Sequence, residues 1–213
     1  RQANKYSVPR IVFVNKMDRI GADFHDVLHQ MRQRLGAHVI AVQLPIGSEE
    51  KFEGVIDLIE ERAYRWVGEH GEIVEEFDIP ANMLQRVATF REHLIVALAE
   101  ADPELENMYL EGDEPTPERM RQAIRKLTVG GKMVPVVTGT ALKNKGVQLL
   151  LDAICEYLPC PTEAPAIHGI HPKSEEPVER QPSPDEPFCG YVFKVVSDSF
   201  VGQLAYMRVY SGH

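Results

Sequence analysis

Cysteine is scarce in this 213-residue sequence, and no two of Cys155, Cys160 and Cys189 form a Cys-x-x-Cys pair. Three thiols cannot all be bridged within one chain, so a disulfide scaffold is excluded and reduced cysteines are the simple reading. Long apolar runs are missing as well. No stretch approaches membrane-spanning length, and Arg1-Gln2-Ala3-Asn4-Lys5 begins nothing like a secretory signal, which gives the cytoplasm as the expected location. Gly-x-x-x-x-Gly-Lys-[Ser/Thr] occurs nowhere, so no loop of the kind that cradles nucleotide phosphates through backbone N–H groups and a lysine can be assigned. What remains is 44 % hydrophobic and 26 % charged, enough for ordinary cores and too apolar for a disordered tail.

Two strand-loop motifs stand out against these absences. Ile11-Val12-Phe13-Val14 runs into Asn15-Lys16-Met17-Asp18, and Val134-Pro135-Val136-Val137 runs into Gly139-Thr140-Ala141-Leu142-Lys143. An apolar strand that ends in a polar loop and then a helix is where doubly wound sheets bind ligands. The chemistry of the loops fits guanine. A carboxylate at Asp18 accepts both the ring N1–H and the 2-amino hydrogens, a bidentate match that adenine lacks. Asn15 could reach N7 or tie the two loops together, and the stem of Lys16 can lie over the base with its ammonium solvated. Backbone N–H groups from Thr140 to Leu142 would meet the guanine carbonyl oxygen. Asn15, Lys16, Met17, Asp18, Thr140, Ala141 and Leu142 are therefore the candidate nucleotide-binding residues, with no catalytic residue and no metal ligand assigned.

The residues around both motifs resemble translational GTPases, most closely the elongation factor G family. The resemblance is carried by Val8-Pro9-Arg10 through Asp18-Arg19, Gly21-Ala22-Asp23, Gln43-Leu44-Pro45-Ile46-Gly47 and Gly54-Val55-Ile56-Asp57-Leu58. It continues in Tyr109-Leu110-Glu111-Gly112, Gly139 to Gln148, Phe200-Val201-Gly202 and Arg208-Val209-Tyr210-Ser211-Gly212. Thr140 stands where the family usually carries serine. The resemblance implies an α/β fold: the C-terminal half of a P-loop-type GTPase doubly wound sheet, an α+β insert subdomain, and the first strands of a β-barrel. It implies GTP or GDP as ligand, with magnesium in the parent protein but no magnesium ligand in this chain. With no phosphate loop and no assignable switch segment, the chain reads as an internal fragment of a GTP hydrolase that does not hydrolyse GTP by itself. Related tetracycline ribosomal-protection or release-factor GTPases share the guanine motifs and form the alternative parent class.

Spacing independently requires an insert. One βαβ unit of about 30 residues should separate loops on neighbouring parallel strands, yet 125 positions separate Asn15 from Thr140. The excess, roughly 95 residues, is too long for a loop and should fold with its own core. Expected boundaries are residues 1–35 and 132–161 for the nucleotide domain, 36–131 for the insert, 162–187 for a Pro-rich linker and 188–213 for the truncated barrel. Residues 36–131 hold 9 Lys/Arg against 20 Asp/Glu, a balance of −11 within a total of −9, so the rest of the chain is at +2. So acidic a surface would be repelled by RNA phosphates and suits a basic protein surface. The family resemblance implies the ribosome, and the ribosomal stalk protein in particular, as partners. A stand-alone stalk-docking module is the other function class.

Periodicity fills in the elements. Phe24, Val27, Leu28, Met31 and Leu35 predict a helix capped by Asp23 and ended by Gly36. Residues 38–80 predict short antiparallel strands, with Trp66 and Tyr64 as packing residues. Leu84, Val87, Leu94 and Leu98 predict a long helix, and Thr116-Pro117 opens another with Met120, Ile124 and Leu127 inward. Val147, Leu150, Leu151, Ile154 and Leu158 predict a helix face that Pro159 stops. Prolines from Pro159 through Pro172 to Pro187 predict an extended linker, and two strands are expected around Ser197-Asp198-Ser199-Phe200-Val201-Gly202. His25 and His29 share helical spacing but lack the glutamate of a metalloprotease motif, and are expected on a solvated face.

Overall fold

The computed structural model describes residues 2–171, 173–198 and 200–213. Arg1, Pro172 and Ser199, which enter the leader, linker and turn readings above, lie outside the described residues. A short helix α1 (Gln2–Lys5) precedes strand β1 (Val12–Val14), helix α2 (Phe24–Leu35) and strand β2 (Val39–Ala41). Four strands follow, β3 (Gln43–Ile46), β4 (Gly54–Asp57), β5 (Arg62–Val67) and β6 (Ile73–Phe77), then helices α3 (Leu84–Ala99), α4 (Pro103–Glu111) and α5 (Pro117–Val129). Strand β7 (Val134–Thr138) and helix α6 (Val147–Tyr157) complete a first compact unit that ends at Leu158. The second unit, from Pro159, holds strands β8 (Ile167–Ile170), β9 (Pro177–Arg180), β10 (Cys189–Asp198) and β11 (Gly202–Ser211).

The first unit is mixed α/β. Its parallel sheet has the order β1-β7-β2, so the strands that precede the two motifs are neighbours. Val136 pairs with Val12 on one side and Ala41 on the other. All five residues of β7 are buried, which explains its unbroken apolar run. Pro135 is tolerated in this central strand for a local reason. The Val134 N–H donates to His38 O on the β2 side, so the proline nitrogen faces β1, where pairing begins only at Val136.

The chain passes from this sheet into the antiparallel sheet β3-β4-β5-β6 through one residue. Val42 donates to Val136 O at 3.1 Å and accepts from Leu58 N–H at 3.0 Å. Strand β2 lies in the parallel sheet, and the antiparallel strands begin only after Val42. Leu44, Val55, Ile56 and Leu58 from the antiparallel sheet pack with Leu94, Leu98, Met120 and Ile124 from α3 and α5 in a core continuous with that of the parallel sheet. Arg91 of α3 is buried in this layer. Its guanidinium donates to Leu58 O at 2.5 Å, Ile59 O at 3.0 Å and Glu114 Oε1 at 2.8 Å.

Several helix ends follow their side-chain chemistry. Asp23 accepts from His25 N–H and Asp26 N–H at the start of α2, and Gly36 closes the helix at φ +58°. Thr116 accepts from Arg119 N–H at the start of α5, with Pro117 in the first turn. Leu35, however, is 69 % exposed and lies off the buried stripe of Phe24 and Leu28. Helix α6 also departs from expectation. Ala153 and Tyr157 are buried and Leu149 and Leu150 pack against the core, whereas Leu151 and Ile154 are exposed. Apolar residues on several sides of α6 supply competing stripes, and packing selects the one through 149, 153 and 157.

The Pro-rich stretch contains paired strands. Within it β8 and β9 form an antiparallel pair in which Ile167 faces Arg180 and Ile170 faces Pro177. The last two strands, ten residues each, pair as an antiparallel hairpin, with register shifts at Cys189/Gly190 and between Val192 and Lys194. The antiparallel strands of this C-terminal part follow the α/β unit as the fold class requires.

Candidate nucleotide-binding site

The parallel pairing of β1 and β7 sets the two polar loops side by side. The Gly139 N–H donates to Val14 O at 3.0 Å, and the Met17 N–H donates to Gly139 O at 3.2 Å. Asn15 Oδ1 accepts from its neighbour Lys16 N–H at 2.8 Å and from Ala141 N–H at 2.9 Å, so one amide oxygen ties the loops together. Lys16 stands at φ +63°, a left-handed conformation that turns the chain sharply after Asn15. Lys16 and Leu142 are exposed, while Met17 is only 2 % exposed and faces the core. Whatever Met17 contributes to a ligand is therefore made by its backbone.

Asp18 is the charged centre. Its Oδ1 accepts from the Thr140 hydroxyl at 2.6 Å, and its Oδ2 pairs with the Lys143 ammonium at 2.9 Å. The Thr140 hydrogen bond, then that from Lys143, holds the carboxyl below the usual carboxylate range, so Asp18 is ionised at neutral pH. A carboxylate offers about four lone-pair positions, so the two bonds it makes leave acceptor capacity for a ligand. The threonine that replaces the usual serine thus keeps a hydroxyl directed at this carboxylate.

The second loop is a small closed structure. Thr140 N–H donates to Lys145 O at 2.8 Å and Lys145 N–H returns a bond to Thr140 O at 3.1 Å. Of the three N–H groups expected to face a carbonyl oxygen, Thr140 and Ala141 are thus engaged within the protein. The Leu142 N–H meets no protein acceptor among the described residues. A Cβ at Gly139 would lie 2.3 Å from Lys145 O and 2.8 Å from Phe13 Cζ. Gly139→Ala is therefore expected to force the loops apart and to cost about 2 kcal/mol of stability. Thermal denaturation of the variant checks this, and an unchanged midpoint would contradict it.

Residues far away in sequence buttress both loops, and sequence reasoning missed them. Glu49 donates its N–H to Met17 O at 2.8 Å and accepts the Gly21 N–H through Oε1 at 2.6 Å. Asn144 Nδ2 donates to Gly71 O at 3.1 Å, and Trp66 donates its indole N–H to Gln148 Oε1 at 2.8 Å. The antiparallel sheet thus props both motif loops. Gln43, 3 % exposed, accepts the Thr138 N–H at the end of β7 through Oε1 at 3.3 Å. No local pattern marks these contacts, since each depends on which strands become neighbours.

His25 corrects the expectation of a solvated face. It is half-buried between Phe24 and Phe90, with ring centroids at 5.9 and 5.3 Å, and its Nε2 has no partner among the described residues. Desolvation, with Arg86 nearby, lowers its pKa and favours the neutral ring. His29 is exposed. The described residues include no cluster of three or more His, Cys, Asp or Glu able to hold a metal ion. No described helix is long and apolar enough to cross a membrane.

Residues 1–160 match the family model described as the elongation factor Tu GTP binding domain. The chain belongs to this family of translational GTPases, whose domain binds guanine nucleotide. A crystal structure of a protein from Thermus thermophilus is similar over 99 % of this chain, with a TM-score of 0.76 and 31 % sequence identity. The present chain spans 28 % of that protein's chain.

Proposed function

We propose that this chain is the base-reading part of elongation factor G, the GTPase that drives tRNA and mRNA through the ribosome during translation elongation. Its ligands are GTP and GDP. The observation that carries the reading is the ionised Asp18 carboxylate, fixed between two loops by Thr140 and Lys143 with acceptor capacity to spare. In this pose Asp18 accepts the guanine N1–H and 2-amino hydrogens. Asn15 serves both roles open to it, since Oδ1 joins the loops while the Nδ2 hydrogens are donors for N7. Leu142 N–H meets the base carbonyl oxygen, and the stem of Lys16 covers the ring.

The stretch from β3 to α5 is the second working part of this proposal, an acidic insert that docks the ribosomal stalk protein. Its support is the −11 balance of residues 36–131 together with the resemblance to elongation factor G. Calorimetric titration of the 213-residue chain with isolated stalk protein should give saturable binding at low salt. That binding should weaken as salt shortens the screening length to about 8–10 Å. Absence of binding at low salt, or binding indifferent to salt, would remove the docking role and leave base recognition standing.

A further inference from the structure

We propose that a cavity at the opposite edge of the parallel sheet is a phosphate-binding site. The base-reading loops leave the ends of β1 and β7. The other ends of the strands converge on a cavity of about 520 Å³, which Val12, Val39 and Val134 help to line. That volume suits a small molecule or part of a larger one.

Its charge is what sets it apart. Arg10, Arg34 and Lys132 line it, and no acidic residue does, in a chain whose net charge is −9. Several arginines elsewhere, Arg62, Arg65, Arg91, Arg119 and Arg121, have carboxylate partners. Arg10, Arg34 and Lys132 make no ion pair among the described residues. An anion bound in the cavity would be attracted by all three cations.

Arg10 adds a hydrogen-bonding argument. Its Nε is buried and has no partner among the described residues, an arrangement that costs free energy until an acceptor arrives. The ring of His38 is already committed, its Nδ1 lying 3.1 Å from Lys132 O. Gly131 turns the chain at φ +69° after α5 and brings Lys132 to the cavity. A guanidinium fork binds two oxygens of one group, and three positive charges suit the double charge of a free phosphate or monoester, or the successive single charges of a phosphodiester backbone, better than one carboxylate. The ligand class is therefore a phosphoryl group, carried by a free phosphate compound or by the backbone of an RNA strand.

The test uses the whole 213-residue chain. Inorganic phosphate, compared with chloride at equal ionic strength, should raise the thermal midpoint saturably. Arg10→Gln and Lys132→Gln should each weaken phosphate binding at least several-fold, and Arg65→Gln on the antiparallel sheet should leave it unchanged. Lys132 is exposed, so its variant carries the test even if Arg10→Gln fails to fold. A labelled single-stranded RNA that phosphate displaces assigns the site to a phosphodiester, and failure of RNA to bind there assigns it to a free phosphate. Stabilisation by phosphate no greater than by chloride, or equal in wild type and both cavity variants, would overturn the proposal.

Discussion

Exchanging Asp18 for asparagine is expected to turn the pocket's preference from guanine towards xanthine, with a change of about a hundredfold in relative affinity. The carboxylate is an acceptor at both oxygens, whereas the amide offers one acceptor and one donor. Guanine presents two donors on this edge, so the substituted amide would set donor against donor and lose a charge-assisted bond. Xanthine carries a carbonyl where guanine carries its 2-amino group, and the amide donor satisfies it. Stability should change by less than about 1 kcal/mol, because Lys143 is 57 % exposed at its side chain and its ion pair is screened. The Thr140 hydroxyl still finds an acceptor at the amide oxygen. Competition of GDP and xanthosine diphosphate for one fluorescent nucleotide measures the ratio. An unchanged ratio would show that Asp18 does not read the base.

The second large effect is structural. Arg91→Met should lower the unfolding free energy by roughly 3 kcal/mol. The Arg91 side chain is 9 % exposed and paired with Glu61 and Glu114, and it caps the carbonyls of the buried residues Leu58 and Ile59. Methionine fills much of the space but leaves two carbonyls without donors and two carboxylates without their cation. The loss should appear as a lower urea midpoint with an unchanged slope. A shift below about 1 kcal/mol would mean that water replaces the guanidinium at little cost. The same layer carries β5, whose Trp66 bonds Gln148 in the first turn of α6 just after the second loop, so the variant also tests whether loosening this layer is felt at the base-reading loops.

The two strands and the loops that leave them were legible because their signals are local. Apolar runs at 11–14 and 134–137, each ending in polar residues, identified two parallel strands and the loops that leave them. Asp23, Gly36 and the Thr116-Pro117 pair marked helix ends through chemistry confined to a few residues. The partners of Asp18 were harder to read. Thr140 and Lys143 become its neighbours only because β1 lies directly beside β7. Glu49 meets Met17 through its backbone N–H and Gly71 meets Asn144 through its carbonyl, groups that almost every residue type possesses. Helix α6 lies where its sequence predicted, but its buried face differs, since Leu149, Leu150, Leu151 and Ile154 allow more than one apolar stripe. Proline density hid β8 and β9, although Pro177 pairs at a strand end where a missing N–H is tolerated.

The most direct measurement of guanine recognition is an amide NMR titration of the isotope-labelled 213-residue chain with GDP and, separately, ADP. GDP is expected to shift Asn15 to Asp18 and Thr140 to Leu142, with Leu142 among the largest changes, while ADP leaves these amides in place. Equal shifts from both nucleotides, or GDP shifts that avoid both loops, would contradict guanine recognition at this site.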